Sequence, residues 1–436
     1  MNLKVKILLS IITLILNIAI VNGQTKTDLN LAKSYFMELD SLCNIDNGKL
    51  WGINLYGATM FIFPGSRVIV ANEQENDSSL IFKNGLFLGR LPDNINIANT
   101  SIEWNGKNWT MLSWDAISNQ DNYSRAKLLI HESWHRQQKE IGIMPVMTKN
   151  THLDELNGGI LLKLEFIILD SALTCTNREE KINHLANALK VRSFRQSLFP
   201  DNNENVFELH EGMAEYTGFK LCGIKNELLP KVAEKLLEFG LGKDGLANSF
   251  PYLTGPAYGI LFDGLKTDWL ADVKRGESLP EIGKQIIKHS LPQDSAQLKD
   301  TISKLIKQYQ AKSMIENETL KFENQKQLIT EYNQKFFNGH ILIIKNDNIQ
   351  MGFNPQEKLV PLQNGVVYKT MRLTGEWGIA EIKNGIFRSN DWQYFLLSAP
   401  TTGKTGKINE PDYTLVLNNG WEVVEIKDGK YTLNKK

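Results

Sequence analysis

Cysteine is nearly absent from this 436-residue chain, where Cys43, Cys175 and Cys222 stand apart and none forms a Cys-x-x-Cys pair. Three thiols cannot build a disulfide framework, and without paired spacing they cannot build a thiolate metal site. One pairing stays open, Cys175 with Cys222, which lie on either side of the stretch around residue 211. Net charge is missing as well, since 49 Lys and Arg balance 49 Asp and Glu. A chain with no basic excess lacks the electrostatic footprint of a nucleic-acid binder or of a protein held on anionic lipid. No apolar run beyond the N-terminus is long enough to span a membrane, and there is no internal repeat or low-complexity tract. Histidine is scarce, with seven in the whole chain.

The N-terminus carries Lys4 and Lys6, then a nearly unbroken apolar run from Ile7 to Val21, then Asn22-Gly23 before Gln24. This has the form of a secretory signal peptide, residues 1–23, and is short for a membrane anchor. No cysteine follows closely, which argues against a lipoprotein. The mature chain is therefore expected to be secreted or periplasmic.

Two of the seven histidines fall in Leu128-Leu-Ile-His131-Glu132-Ser-Trp-His135. On a helix, His131 and His135 lie one turn apart on one face, so both imidazoles can reach a single metal ion. Glu132, beside the first ligand, is placed to take a proton from a metal-bound water. Asn122 or Ser124 is expected to cap this helix and Gly142 to end it. Two histidines hold zinc weakly, so a third ligand is required. Downstream, Glu208-Leu-His210-Glu211-Gly-Met-Ala-Glu215-Tyr reads as a second helix with Glu211 and Glu215 one turn apart. Glu211 and His210 both qualify.

The combination of His-Glu-Ser-Trp-His with His-Glu-Gly-Met-Ala-Glu-Tyr resembles the gluzincin group of zinc metallopeptidases. The resemblance implies one zinc ion held by His131, His135 and Glu211, with Glu215 hydrogen-bonded to the outer nitrogen of a ligand histidine. It also implies Glu132 as general base and a peptide or protein as substrate. His210 stands where the family usually has Asn, and the interval from His135 to Glu211 is long for the group. A metzincin would need Gly and His where this chain has Gln138 and Ile141, and the large aminopeptidases' Gly-x-Met-Glu-Asn signature is missing. In several gluzincins a Tyr-x-x-Gly segment leads into a helix and supplies the oxyanion donor. Tyr252-Leu-Thr-Gly255 matches that pattern and Tyr258 is the reserve.

Around these motifs the chain is expected to be α+β. Leu29 to Cys43 reads as a helix, and the segment from Leu50 to Trp114 reads as an antiparallel sheet with hairpin turns at Asn84-Gly85 and Asn105-Gly106. By the resemblance, Trp109 to Trp114 would be the edge that pairs with an extended substrate; an ordinary core strand fits it equally. Residues from about 155 to 290 carry helical signals, among them an apolar helix around Glu165, which needs a partner such as Arg192 or Arg195 if buried. The same arginines could instead serve Glu215 or a substrate carboxylate. His152 and His184 read as surface residues, while His289 and His340 have no assignment. Short strands punctuated by Asn-Gly and Asp-Gly turns begin after His340. The expected plan is a signal peptide at 1–23, a zincin-like domain at 24–316, a helical linker at 317–338 and a small β-sandwich or barrel at 339–436. The functional expectation is a secreted zinc metallopeptidase. The alternatives are a zinc hydrolase of a non-peptide bond and a surface binding protein on a peptidase scaffold.

Overall fold

The computed structural model describes residues 26–146, 148, 150–288, 295–353 and 359–436; the expected signal peptide and His289 lie outside them. The chain divides into two units between Ile315 and Glu316.

The first unit opens with helix α1 (Lys26–Asp46) and a six-stranded sheet. Its strands are β1 (Thr59–Phe63), β2 (Val68–Ala71), β3 (Ile81–Lys83), β4 (Leu86–Arg90), β5 (Thr100–Trp104) and β6 (Lys107–Ser113). Their order is β3-β4-β2-β1-β6-β5. The sheet is mixed, which corrects the antiparallel expectation: β6 runs parallel to β1, pairing Thr110 with Thr59 and Ser113 with Ile62. The chain crosses from β4 to the far edge and lays the β5–β6 hairpin beside β1, so β6 has to run with it. The two Asn-Gly turns are as expected, with φ of 57° and 81° at Asn84 and Gly85 and 46° and 70° at Asn105 and Gly106. Side chains alternate across β1, with Phe61 and Phe63 toward the helices and Met60 and Ile62 toward a second core with Trp109 and Met111. Residues 109–113 therefore lie in an inner strand, with Trp109, Met111 and Leu112 buried on its two faces. The open edge on that side is β5, so the edge expected at 109–114 is one strand further out.

Helices follow: α2 (Trp114–Ser118), α3 (Asn122–Ile141), α4 (Leu156–Thr174), α5 (Arg178–Leu198) and α6 (Glu204–Phe207). A π-helical turn, Glu208–Gly212, joins α6 to α7 (Met213–Leu221). Then come α8 (Leu229–Gly242), α9 (Pro251–Asp263), α10 (Trp269–Lys274), α11 (Leu279–Ile287) and α12 (Ser295–Gln308). Asp121, not Asn122 or Ser124, caps α3, because its carboxylate accepts from the N–H groups of Tyr123 and Ser124. Gly142, at φ 98°, ends that helix as expected.

Between α4, α5 and α6 lies a buried ion network. Arg195 makes a bidentate contact with Glu204, at 2.9 and 2.6 Å, and an ion pair with Glu165 at 2.7 Å. Arg192 forks onto Glu208 at 2.8 and 3.3 Å. Both arginines thus serve structural acids, and neither meets Glu215. Two further sequence expectations are corrected here. Tyr258 is fully buried and donates to Glu165 at 2.6 Å, so it lies in this network and not at a cleft. His152 is buried against Glu204 at 2.7 Å, because that carboxylate needs a second partner beside Arg195. His184, half-buried, meets the Tyr309 hydroxyl at 2.6 Å, and His340 is exposed. All three thiols are free: that of Cys175 faces Asn177 and Glu180, that of Cys222 the Phe219 carbonyl, so the two do not pair.

The second unit is all-β apart from a helical entry. Helix α13 (Lys312–Asn333) and a further π turn (Gln334–Asn338) lead into a seven-stranded and a five-stranded sheet. Leu342, Phe395 and Leu397 of the larger sheet pack against Leu373, Ala380 and Leu415 of the smaller one, which makes a sandwich. On the outer face of the larger sheet, Val367, Phe387 and Leu396 cover Tyr332 and Phe336. The end of the expected linker is therefore part of this core. Among the described residues no helix is long and apolar enough to cross a membrane.

Candidate metal centre

Helix α3 presents His131 and His135 side by side, with their Nε2 atoms 3.2 Å apart. The π turn brings Glu211 across from them, its Oε2 at 3.6 Å from His131 Nε2 and 3.4 Å from His135 Nε2. One ligand atom from each of the three lies within 4.8 Å of the others, so the group could hold a metal ion.

The partners of the outer nitrogens decide what faces the centre. His131 Nδ1 lies 2.9 Å from Glu215 Oε2, and His135 Nδ1 lies 2.9 Å from Gln138 Oε1. A carboxylate and an amide oxygen are acceptors, so in the neutral rings both Nδ1 atoms carry the hydrogen. Two Nε2 lone pairs and a carboxylate then converge on one point, and only a proton or a cation relieves that. Without metal a proton does so. Burial lowers the affinity of His131 for it, but Glu211 and Glu215 more than offset burial and push the group up to about 9. Burial likewise raises the Glu211 carboxyl, yet its bonds to the two histidines hold it far below the usual range.

Two supporting residues escaped the sequence reading. Lys127, one helical turn before His131, donates to Glu215 Oε1 and packs against Gly218, where a methyl group would stand 2.9 Å from its side chain. Gln138 is fully buried, and its Oε1 faces both His135 Nδ1 and, at 2.9 Å, His210 Nδ1. The helical offsets of Lys127 and Gln138 from the ligands were visible; their choice of partner was not.

His210, the alternative third ligand, stands beside the group and outside it, with Nε2 3.3 Å from Glu211 Oε1. Burial, then the charge of His135, push its imidazole down to about 4.

Tyr252 reaches the centre from α9. Its hydroxyl donates to Glu211 Oε2 at 2.6 Å, and its ring lies 5.8 Å from that of His131 with 8° between the planes. Burial and then the Glu211 hydrogen bond push its phenol well above the ordinary value.

His131, His135, Gln138, His210, Glu211 and Tyr252 line a cleft of about 560 Å³. Glu132 lines it and is 6% exposed. Burial raises its carboxyl, the two histidines lower it, and the neighbouring carboxylates raise it further. Along one side runs the open edge of the sheet, with Thr100, Ser101 and Glu103 of β5. No protein-family profile, curated protein or solved structure matches this chain.

Proposed function

We propose that the chain is a zinc-dependent peptidase of the gluzincin kind, built on a zincin-like first unit, and that it acts outside the cytoplasm after loss of residues 1–23. One observation carries the reading: two imidazole lone pairs and a carboxylate converge beside a cleft that also holds the buried carboxylate of Glu132, which makes no hydrogen bond or ion pair among the described residues.

The donor set fits zinc. Two neutral imidazole nitrogens and one carboxylate oxygen are a catalytic zinc set, with a fourth position left open. Held by His131, His135 and Glu211, zinc would supply Lewis-acid polarisation and acidify a water near neutral pH. Glu215 and Gln138 keep the Nδ1 atoms protonated and so keep both Nε2 atoms available. Glu132 accepts the proton of the attacking water and returns it to the leaving amine; its raised affinity for protons moves it toward the working pH. The backbone of β5 hydrogen-bonds an extended peptide along the cleft, which places the scissile carbonyl. Tyr252 stabilises the developing oxyanion when its hydroxyl exchanges Glu211 for that oxygen.

The test is Glu132→Gln. The variant is expected to bind zinc as the parent does and to lose peptide hydrolysis by at least a hundredfold, in line with the general acid–base contribution of about 10²–10⁴. Retained hydrolysis would remove Glu132 from the mechanism.

A further inference from the structure

The second unit contains a cavity of its own. The turn after the strand Ile341–Lys345 and the one before the strand Gly378–Ile382 line it together with the strands Trp421–Lys427 and Lys430–Lys435, and the turn before Trp421 lies close by. Asn418 ties that turn to the one before Gly378. Its backbone N–H donates to the Trp377 carbonyl at 2.9 Å, its side-chain amide donates to the Glu376 carbonyl at 3.0 Å, and its own carbonyl accepts from Trp421 N–H at 3.1 Å. The cavity holds about 490 Å³, within the roughly 300–1,000 Å³ of small-molecule sites.

Its walls combine two indoles, Trp377 and Trp421, with the polar side chains of Asp347, Asn348, Glu376 and Asn434. All four polar side chains are exposed and none has a hydrogen-bond or ion-pair partner among the described residues; Trp377 is 6% exposed, and its Nε1, packed against Gly375, has none either. Acids elsewhere in the unit are engaged: Asp412 with Lys335, Glu381 with Arg372, Glu410 with Thr401 and Thr402.

We propose that this cavity binds a neutral carbohydrate. A sugar ring offers an apolar C–H face and, at its rim, adjacent hydroxyls that both donate and accept. The half-buried indole of Trp421 supplies a flat apolar surface, and its N–H can donate to a hydroxyl. The two carboxylates accept from adjacent hydroxyls, while the two amides both donate and accept. Lys345 lines the cavity and Lys435 Nζ lies 5.9 Å from the Trp421 ring centre, so two lysines offset the two carboxylates and no net charge favours a charged ligand. A bare quaternary ammonium would use the aromatic rings and carboxylates but would leave the amide donors unpaired. The binding site and the metal centre lie in different units, so the proposal does not depend on the peptidase reading.

The experiment titrates the full chain with hexasaccharides of α- and β-linked glucose, of xylose and of N-acetylglucosamine, with choline chloride as a separate arm. Tryptophan fluorescence and calorimetry give the readout. At least one saccharide is expected to bind and to shift the indole emission. Trp421→Ala should weaken that binding tenfold or more, and Asn434→Ala, which removes a side chain without protein partners, several-fold. Glu132→Gln should leave it unchanged. The proposal is overturned if no saccharide of the panel binds, if binding survives both cavity variants, or if choline alone binds.

Discussion

Gly255 and Gly212 touch backbone to backbone: a methyl group on Gly255 would stand 2.3 Å from the Gly212 Cα. This contact lets α9 cross the π turn closely enough for Tyr252, one turn before Gly255, to reach Glu211, the residue before Gly212. Gly255→Ala is therefore expected to push α9 off the turn. Overpacking of this kind costs about 1–3 kcal/mol. Thermal unfolding should show a lower midpoint, and chelator competition should show weaker metal binding than in the parent. A variant as stable and as tightly metallated as the parent would show that the crossing can relax at no cost.

The chain Lys127–Glu215–His131 makes a graded prediction. Glu215→Gln keeps the size but removes the charge that holds His131 Nδ1–H, and metal affinity should fall about 10–100-fold. Lys127→Met acts one residue further out and should lower affinity less. Zinc titration against a competing chelator measures both. A larger effect from Lys127 than from Glu215 would reverse the assigned order.

The buried ion network predicts stability and its acid limit. Arg195→Met removes the nearest cation from the buried Glu165 and Glu204, leaving them Arg192, Tyr258 and His152, and breaking such a buried pair costs about 3–5 kcal/mol. Burial alone would raise the Glu204 carboxyl, but Arg195 outweighs burial and holds it well below the usual range. The unfolded chain then takes up that proton first as pH falls. The stabilisation is present above the unfolded value of about 4.3 and is lost progressively below it. Denaturant unfolding between pH 7 and 3 should show this loss, and Arg195→Met should flatten the acid limb. An unchanged acid limb would mean that other groups set it.

Much of this arrangement was legible in the chain. The spacing of His131 and His135 fixed their shared face, and the Asn-Gly turns marked the hairpins, because both depend on local geometry alone. The sites that escaped depend on distant contacts. Tyr258 and Tyr252 look alike in sequence, and only the placement of Glu165 beneath one and Glu211 beneath the other separates them. The position of β6 inside the sheet follows from a crossover that alternating apolar residues do not encode. The π turn carrying Glu211 has no sequence signature. His152 seemed a surface residue because its partner, Glu204, lies far along the chain.

The most direct measurement is the metal content of the purified chain lacking residues 1–23, beside Glu211→Ala and His210→Ala. The account predicts about one zinc ion per chain, as for a single catalytic site, lost in Glu211→Ala and kept in His210→Ala. A chain that takes up no zinc even after reloading, or one whose zinc survives Glu211→Ala and disappears in His210→Ala, would contradict it.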